Sequence, residues 1–267
     1  MRENCGGAYF GTKTEEADSA SDLWLYTRPE IERCARVSAA VARIHGRDGK
    51  GGGGPAAVWS ADKANVLASS RVWRRVTTEM FTQEFPDIEL QHQLADSMAM
   101  IMVLDPNRFN GVIHTDNTFG DILSDISGGI IGTLGVLPSA SISGAPGEEK
   151  CRGIYEPVHG SAPDIAGKGI VNPVAQILST AMMLRYSLGL PDEASAIELA
   201  VKHAVSSKEE GGLEVRTADM GGTARTSEVG DAVCEALRMT LDIKLGENFW
   251  KRLYEDKGVV GNWVPLV

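Results

Sequence analysis

The stretch Asn117-Thr-Phe-Gly-Asp-Ile-Leu-Ser-Asp125, taken with Glu156-Pro-Val-His-Gly-Ser-Ala-Pro-Asp164, decides how this chain is read. In the first stretch the apolar residues recur at helical spacing, so Asp121 and Asp125 project from one face about one turn apart. Two carboxylates so placed are hard oxygen donors suited to a divalent cation. Taken alone they read more readily as a solvated helix face, and it is their surroundings that argue otherwise. The second stretch is rich in small residues and ends in an acid. That composition suits a loop whose backbone approaches a dinucleotide while a carboxylate holds a ribose hydroxyl.

Working outward, Asn110-Gly111 is a turn signal, and Val112 and Ile113 open a short buried strand ahead of the Asp121 helix. Upstream, Thr27-Arg-Pro-Glu30 reads as a capping box, and Ile31, Cys34, Ala35, Ser38, Val41 and Ala42 follow on one weakly apolar face. Residues 46–54, with four consecutive glycines, cannot continue that helix and read as a solvated linker. Residues 56–60 suggest a short strand leading into Lys63, residues 69–85 a helix stopped by Pro86, and residues 88–94 an imperfect alternation. Downstream, Asn172-Pro173 starts a helix that closes near Gly189, and further helices are expected across 193–205 and 228–241. Strands alternating with helices indicate an α/β protein.

At 267 residues and 43% hydrophobic composition, the chain can bury the core of one large or two modest domains. A net charge of −10 argues against a nucleic-acid surface, which would be basic. Cys5, Cys34, Cys151 and Cys234 are scattered without a CxxC pair, which favours reduced thiols and a cytoplasmic setting over a disulfide framework or a zinc site. No apolar run is long enough to span a bilayer, and Met1-Arg-Glu-Asn-Cys-Gly-Gly has neither a signal-peptide core nor transit-peptide character.

The ordered blocks Arg2-Glu-Asn-Cys-Gly-Gly-Ala-Tyr-Phe-Gly11, Asp62-Lys-Ala-Asn-Val66, Leu94-Ala-Asp-Ser97, Phe119-Gly-Asp-Ile-Leu-Ser-Asp125, Leu137-Pro-Ser-Ala140, Gly153 through Asp164, Asn172-Pro173 and Glu228-Val-Gly-Asp231 resemble the β-decarboxylating dehydrogenases of the isocitrate/isopropylmalate family. Within it they look most like the isopropylmalate-oxidising branch, and Ser97 resembles the fungal form of its block. The resemblance implies an isocitrate/isopropylmalate dehydrogenase-like two-domain α/β fold, here amino-terminally truncated. Residues 1–134 would be the second domain, carrying dimerisation, metal and substrate groups. Residues 135–242 would be the returning half of the first, NAD-binding domain, and residues 243–267 a tail outside the resemblance. That tail, with Phe249, Trp250, Tyr254 and Trp263, reads either as a covering segment or as an out-of-register end.

The implied activity is NAD-dependent oxidative decarboxylation of (2R,3S)-3-isopropylmalate to 4-methyl-2-oxopentanoate, a step of leucine biosynthesis. Sister enzymes for homoisocitrate, isocitrate, malate or tartrate share most of these blocks, and a non-catalytic remnant or interaction subunit is the reading from another class. By resemblance, Asp121, Asp125 and Asp96 hold Mg²⁺ or Mn²⁺, Lys63 is the base, Tyr9 protonates the enol, and Arg2 holds a substrate carboxylate. Lys63 and Asp96 would reach the neighbouring site of a homodimer, with Asp96 also beside the substrate. Glu156, His159, Gly160, Ser161, Ala162, Asp164 and Asn172 would bind the cofactor. A carboxylate at Asp164 would repel a 2′-phosphate, favouring NAD over NADP. Two departures from the family pattern stand near these groups: Ile126 where an acidic residue is common, and Ala218 where glycine often stands.

Overall fold

The computed structural model describes residues 1–46, 56–147 and 151–245, excluding the side chains of 242–245. Most of the glycine linker and the aromatic residues of the tail therefore lie outside the described residues. The chain divides into two compact units. One comprises residues 1–134, 140–155 and 186–189; the other comprises 135–139, 156–185 and 190–267.

The first unit is built on three parallel strands in the order β4-β3-β5, where β3 is Ala57–Asp62, β4 is Glu89–Leu94 and β5 is Val112–Thr115. Ahead of the sheet a short exposed hairpin pairs β1 (Lys13–Glu15) with β2 (Ala20–Asp22). The central strand β3 is buried at all six positions, as expected of a parallel strand covered on both faces. Its side chains alternate between two cores. Val58 packs with Ile31 and Cys34 of α1 (Arg28–His45) and with Trp73, Val76, Met80 and Phe81 of α2 (Ala68–Glu84). Trp59 and Ala61 face the other way, onto Met98 and Met102 of α3 (Ala95–Leu104) and Leu123 of α4 (Asn117–Ile131).

Local chemistry accounts for the helix limits. The Glu30 carboxylate accepts from Thr27 N at 2.7 Å and from Thr27 Oγ1 at 2.6 Å, closing the capping box at the start of α1. These bonds from Thr27 hold Glu30 below the usual carboxylate range. The Asp116 carboxylate caps α4 by accepting from Phe119 N at 2.9 Å, and Gly132, in the left-handed region at φ 94°, ends it. Strand β3 runs two residues beyond the expected 56–60, which places Lys63 in the turn immediately after it.

The strands β6 (Pro138–Ile142) and β7 (Gly153–Pro157) form a two-stranded sheet. In the second unit, α5 (Val174–Tyr186), α6 (Pro191–Val205) and α7 (Thr226–Leu245) surround a small-residue core of Val174, Ala200, Val201, Ala204, Val229, Ala232, Val233 and Ala236. Alanines at these contacts let the backbones of α6 and α7 approach closely. No helix among the described residues is long and apolar enough to cross a membrane, and the four cysteines are free.

Candidate active site

Parallel register brings the chemistry-bearing residues of the first unit to one edge. Asp62 is level with Leu94, and Ala61 is level with Thr115. Lys63, Asp96 and Asp116 therefore all follow the carboxyl ends of neighbouring strands, where open α/β sheets bind their ligands.

On the β5 side, the amino-terminal segment extends the sheet edge. Arg2 bridges Thr115 in parallel, with Glu3 N donating to Thr115 O at 3.1 Å and Thr115 N donating to Met1 O at 3.0 Å. Glu3 is buried, accepts from Arg33 at 2.6 Å, and receives Cys5 N on its two oxygens at 3.1 and 3.2 Å. The segment is thus pinned on both sides, and Arg2 is ordered although it lies beside the terminus. Its Nη1 donates to Asp121 Oδ1 at 2.7 Å and its Nε donates to Asn117 Oδ1 at 2.8 Å. Tyr9, in the single turn Gly7–Tyr9, donates its hydroxyl to Asp121 Oδ2 at 2.9 Å. That hydrogen bond, ahead of burial, raises the Tyr9 pKa above its ordinary value and keeps the phenol protonated.

Asp125 lies one turn further along α4 and is exposed. Among the described residues, no group of three or more His, Cys, Asp or Glu side chains gathers closely enough to hold a metal ion. The chain supplies two hard carboxylates from one helix face. The donor types fit Mg²⁺ or Mn²⁺, and a third carboxylate would have to come from elsewhere.

Asp96, the third expected ligand, lies in the first turn of α3, where its Oδ1 is 2.6 Å from Lys63 Nζ. The lysine bond holds the Asp96 pKa below the usual carboxylate range. The lysine turn itself rests on a buried support. Asp62, 1% exposed, takes Arg74 Nε and Nη2 on its two oxygens at 2.8 Å each and accepts from Ala64 N at 2.9 Å. Sequence reasoning missed this pair. Asp62 belongs to the block Asp62-Lys-Ala-Asn-Val66, but no local signal ties it to an arginine one strand-to-helix crossing away. Asn117 and Tyr26 were missed in the same way.

In the second unit the expected cofactor segment is contiguous and largely exposed. Glu156 lies near the end of β7, the His159 ring lies 2.9 Å from Gly160 O, and Gly160, Ser161, Ala162 and Asp164 face solvent. Ala162 sits in the left-handed region at φ 43°, an uncommon conformation for a residue with a Cβ. Asn172, by contrast, is buried. Its Oδ1 accepts from Val174 N at 3.0 Å, starting α5, and its Nδ2 donates to Asp219 Oδ2 at 2.9 Å. The capping role matches the sequence, and the side chain is committed to structure, leaving its backbone for any adenine contact.

The carboxyl edge of the parallel sheet thus carries a lysine after the central strand and, beside β5, Arg2 and Tyr9 bonded to an aspartate of α4. The isocitrate/isopropylmalate dehydrogenase family model matches residues 1–233, and the chain belongs to that family. It is 72% identical over 238 residues to a 3-isopropylmalate dehydrogenase of Hapsidospora chrysogena, covering 89% of this chain and 62% of that one. It is 52% identical over 244 residues to the Sordaria macrospora enzyme of the same name, covering 90% and 63%. Among solved structures it is similar to isocitrate dehydrogenase from Methylococcus capsulatus, with a TM-score of 0.72 at 36% identity over 89% of this chain and 66% of that one. The chain thus spans 62% and 63% of the two curated relatives.

Proposed function

We propose that the chain carries out NAD-dependent oxidative decarboxylation of (2R,3S)-3-isopropylmalate to 4-methyl-2-oxopentanoate, carbon dioxide and NADH. The observation that carries this reading is the meeting of Arg2 and Tyr9 on Asp121. The identity to fungal 3-isopropylmalate dehydrogenases supports the choice of substrate.

Asp121 and Asp125, with Asp96 of a second copy, would hold Mg²⁺ or Mn²⁺, which supplies a Lewis acid at the 2-oxygen, while NAD⁺ supplies the hydride acceptor. Arg2 keeps free N–H donors beyond the two it uses, enough to grip a substrate carboxylate on two oxygens. Lys63 of the second copy takes the hydroxyl proton as the C2 hydride leaves to NAD⁺. Loss of the C3 carboxylate as carbon dioxide then leaves its electron pair in an enolate, and Tyr9, held protonated, delivers a proton to C3. The exposed turn from Gly160 to Asp164 accepts the adenosine half of NAD⁺, with Asp164 on the ribose.

The chain acts as a homodimer in this reading. Met100, Val103 and Leu104 form an exposed stripe on α3, and Ile122, Ile130 and Ile131 are exposed on α4, which packs beside it. Adjoining apolar helix surfaces of this kind favour association. Free cysteines suit a reducing compartment such as the cytoplasm.

The test is NADH formation by the purified chain with 3-isopropylmalate and Mg²⁺, run beside homoisocitrate, isocitrate, malate and tartrate. Lys63→Ala should abolish the rate without dissolving the dimer. An undiminished rate would remove Lys63 as the base. Mn²⁺ binding and dimerisation without turnover would instead make the chain an interaction subunit.

A further inference from the structure

Arg2 and Tyr9 lie more than a hundred residues from the helix they serve, so something must fix both against Asp121. We propose that Asn117 is the positioning residue of this site and that Gly120 is its steric counterpart, an inference that rests on the assignment of Arg2, Tyr9 and Asp121 given above. Asn117 is fully buried at the first residue of α4 and serves three partners. Its Oδ1 accepts from Arg2 Nε at 2.8 Å, its Nδ2 donates to Gly6 O at 3.1 Å, and its backbone N–H donates to the Tyr26 hydroxyl at 2.9 Å. The helix does not need this side chain for capping, because Asp116 already fills that role. The first-turn N–H has no acceptor within the helix, and the tyrosine supplies one.

Tyr26 is itself fixed, buried and packed edge-on against Trp73 with ring centroids 5.3 Å apart. Its ring leaves no room for side chains at Gly6 and Gly7, which lead into Tyr9. A Cβ on Gly7 would stand 2.3 Å from the Tyr26 oxygen, and Gly7 also has φ +74°. One Asn117 side chain therefore joins the Arg2 strand, the Gly6–Tyr9 turn and α4.

Gly120 completes the arrangement. A Cβ there would lie 2.6 to 3.0 Å from the Cγ, Cβ and Cδ atoms of Arg2. Asn117, Gly120 and Asp121 stand at i, i+3 and i+4 on one helix face. The arginine stem rests in the notch at Gly120, with Nε held by Asn117 and Nη1 by Asp121. The guanidinium is oriented before any ligand arrives, and its remaining donors are left for a carboxylate.

The test uses the full chain labelled with ¹⁵N-arginine, with the Arg2 Nε–H resonance assigned by its loss in Arg2→Lys. In the unsubstituted chain this proton should exchange slowly. Gly120→Ala introduces a better helix former, so it should leave helix content and unfolding midpoint intact while exchange speeds up about tenfold or more through displacement of the arginine. Asn117→Ala should act likewise, and Asn117→Asp, which keeps the acceptor, should restore much of the protection. In turnover assays, Gly120→Ala should raise KM for 3-isopropylmalate far more than KM for NAD⁺. A folded Gly120→Ala chain with unchanged Arg2 protection overturns the proposal. If that variant does not fold, equal protection in Asn117→Asp and Asn117→Ala overturns it. Loss of Arg2 protection in a chain whose parent does not oxidise 3-isopropylmalate would sustain the positioning role and reject the proposed function.

Discussion

Asp116 caps α4 yet stands at a cost, and replacing it with asparagine should stabilise the protein at neutral pH. Burial raises its pKa from 3.8 to about 6, outweighing the hydrogen bond from Phe119 N, and the nearby carboxylates of Asp62 and Glu3 push the same way. A carboxylate whose folded pKa lies above its unfolded value binds a proton more tightly when folded. Its stabilising contribution is complete below about pH 4 and is lost as pH rises through 6. A shift of about two units corresponds to about 3 kcal/mol. Asparagine caps a helix about as well as aspartate and carries no charge to desolvate. Asp116→Asn should therefore exceed the parent by about 3 kcal/mol at pH 7.5 and nearly equal it at pH 4.

His114 makes the comparison sharper. It is fully buried between Ser38 and Thr77 and stacked on Trp73, and burial lowers its pKa to about 3. Its contribution is present above pH 6.5 and is lost as pH falls toward 3, the opposite sense to Asp116. Between pH 4 and 6 the two slopes nearly cancel in the parent. In Asp116→Asn the opposing slope of Asp116 is gone and that of His114, about 1.4 kcal/mol per pH unit, is no longer cancelled. Urea unfolding followed by circular dichroism and tryptophan fluorescence, with Trp59 and Trp73 reporting on the first unit, measures both. A difference between the two proteins that does not change with pH, or a less stable variant at pH 7.5, would refute the assignment of burial as the dominant cause.

Three further outcomes are expected. Arg74→Met leaves the Asp62 carboxylate buried without its partner, and because the arginine itself is about one-third exposed the loss should be about 2–3 kcal/mol. Adding Asp62→Asn should recover most of it in urea titrations, and an additive loss would mean the two groups are not coupled. The double variant Val103→Glu/Ile130→Glu should be a folded monomer by light scattering, whereas an unchanged dimer would place the interface on another surface. Asp164→Lys should lower the preference for NAD over NADP by about tenfold or more, read from dissociation constants by fluorescence titration. An unchanged ratio would remove this carboxylate from the ribose.

What could be read from the sequence depended on whether the deciding contacts were local. The capping box at Thr27 and Glu30 and the cap at Asn172 are written within a few residues and stand as expected, while the short strand expected at 56–60 runs two residues further. Helix α3 was not legible because Met98 through Leu104 is apolar on every side. Its inner face carries Ala95, Met98 and Met102, while its outer face carries Met100, Val103 and Leu104, so no helical period survives. The β1–β2 hairpin failed for the opposite reason, being exposed throughout and without an apolar alternation. At the site, motif residues were legible and their supports were not. The bond from Asn117 N to Tyr26 spans 91 residues and the Asp219 partner of Asn172 lies 47 residues away.

The two ion pairs at the strand edge follow from the same topology. Lys63 and Asp96 end adjacent strands β3 and β4, so a short reach joins them, while Asp121 follows β5 and meets Arg2 on the far side of the central strand. Each pair closes its own charge, so the lysine and the arginine each meet a carboxylate at this edge. Both pairs are partly exposed and therefore weak, so little free energy is needed to open them. In the proposed reaction a divalent cation would compete for the carboxylates and a dicarboxylate for the cationic groups. A single chain does not bring Asp96 together with Asp121 and Asp125 into a metal cluster. In the proposed dimer, the exposed apolar faces of α3 and α4, the helices that carry these aspartates, would be where a second copy supplies its Asp96.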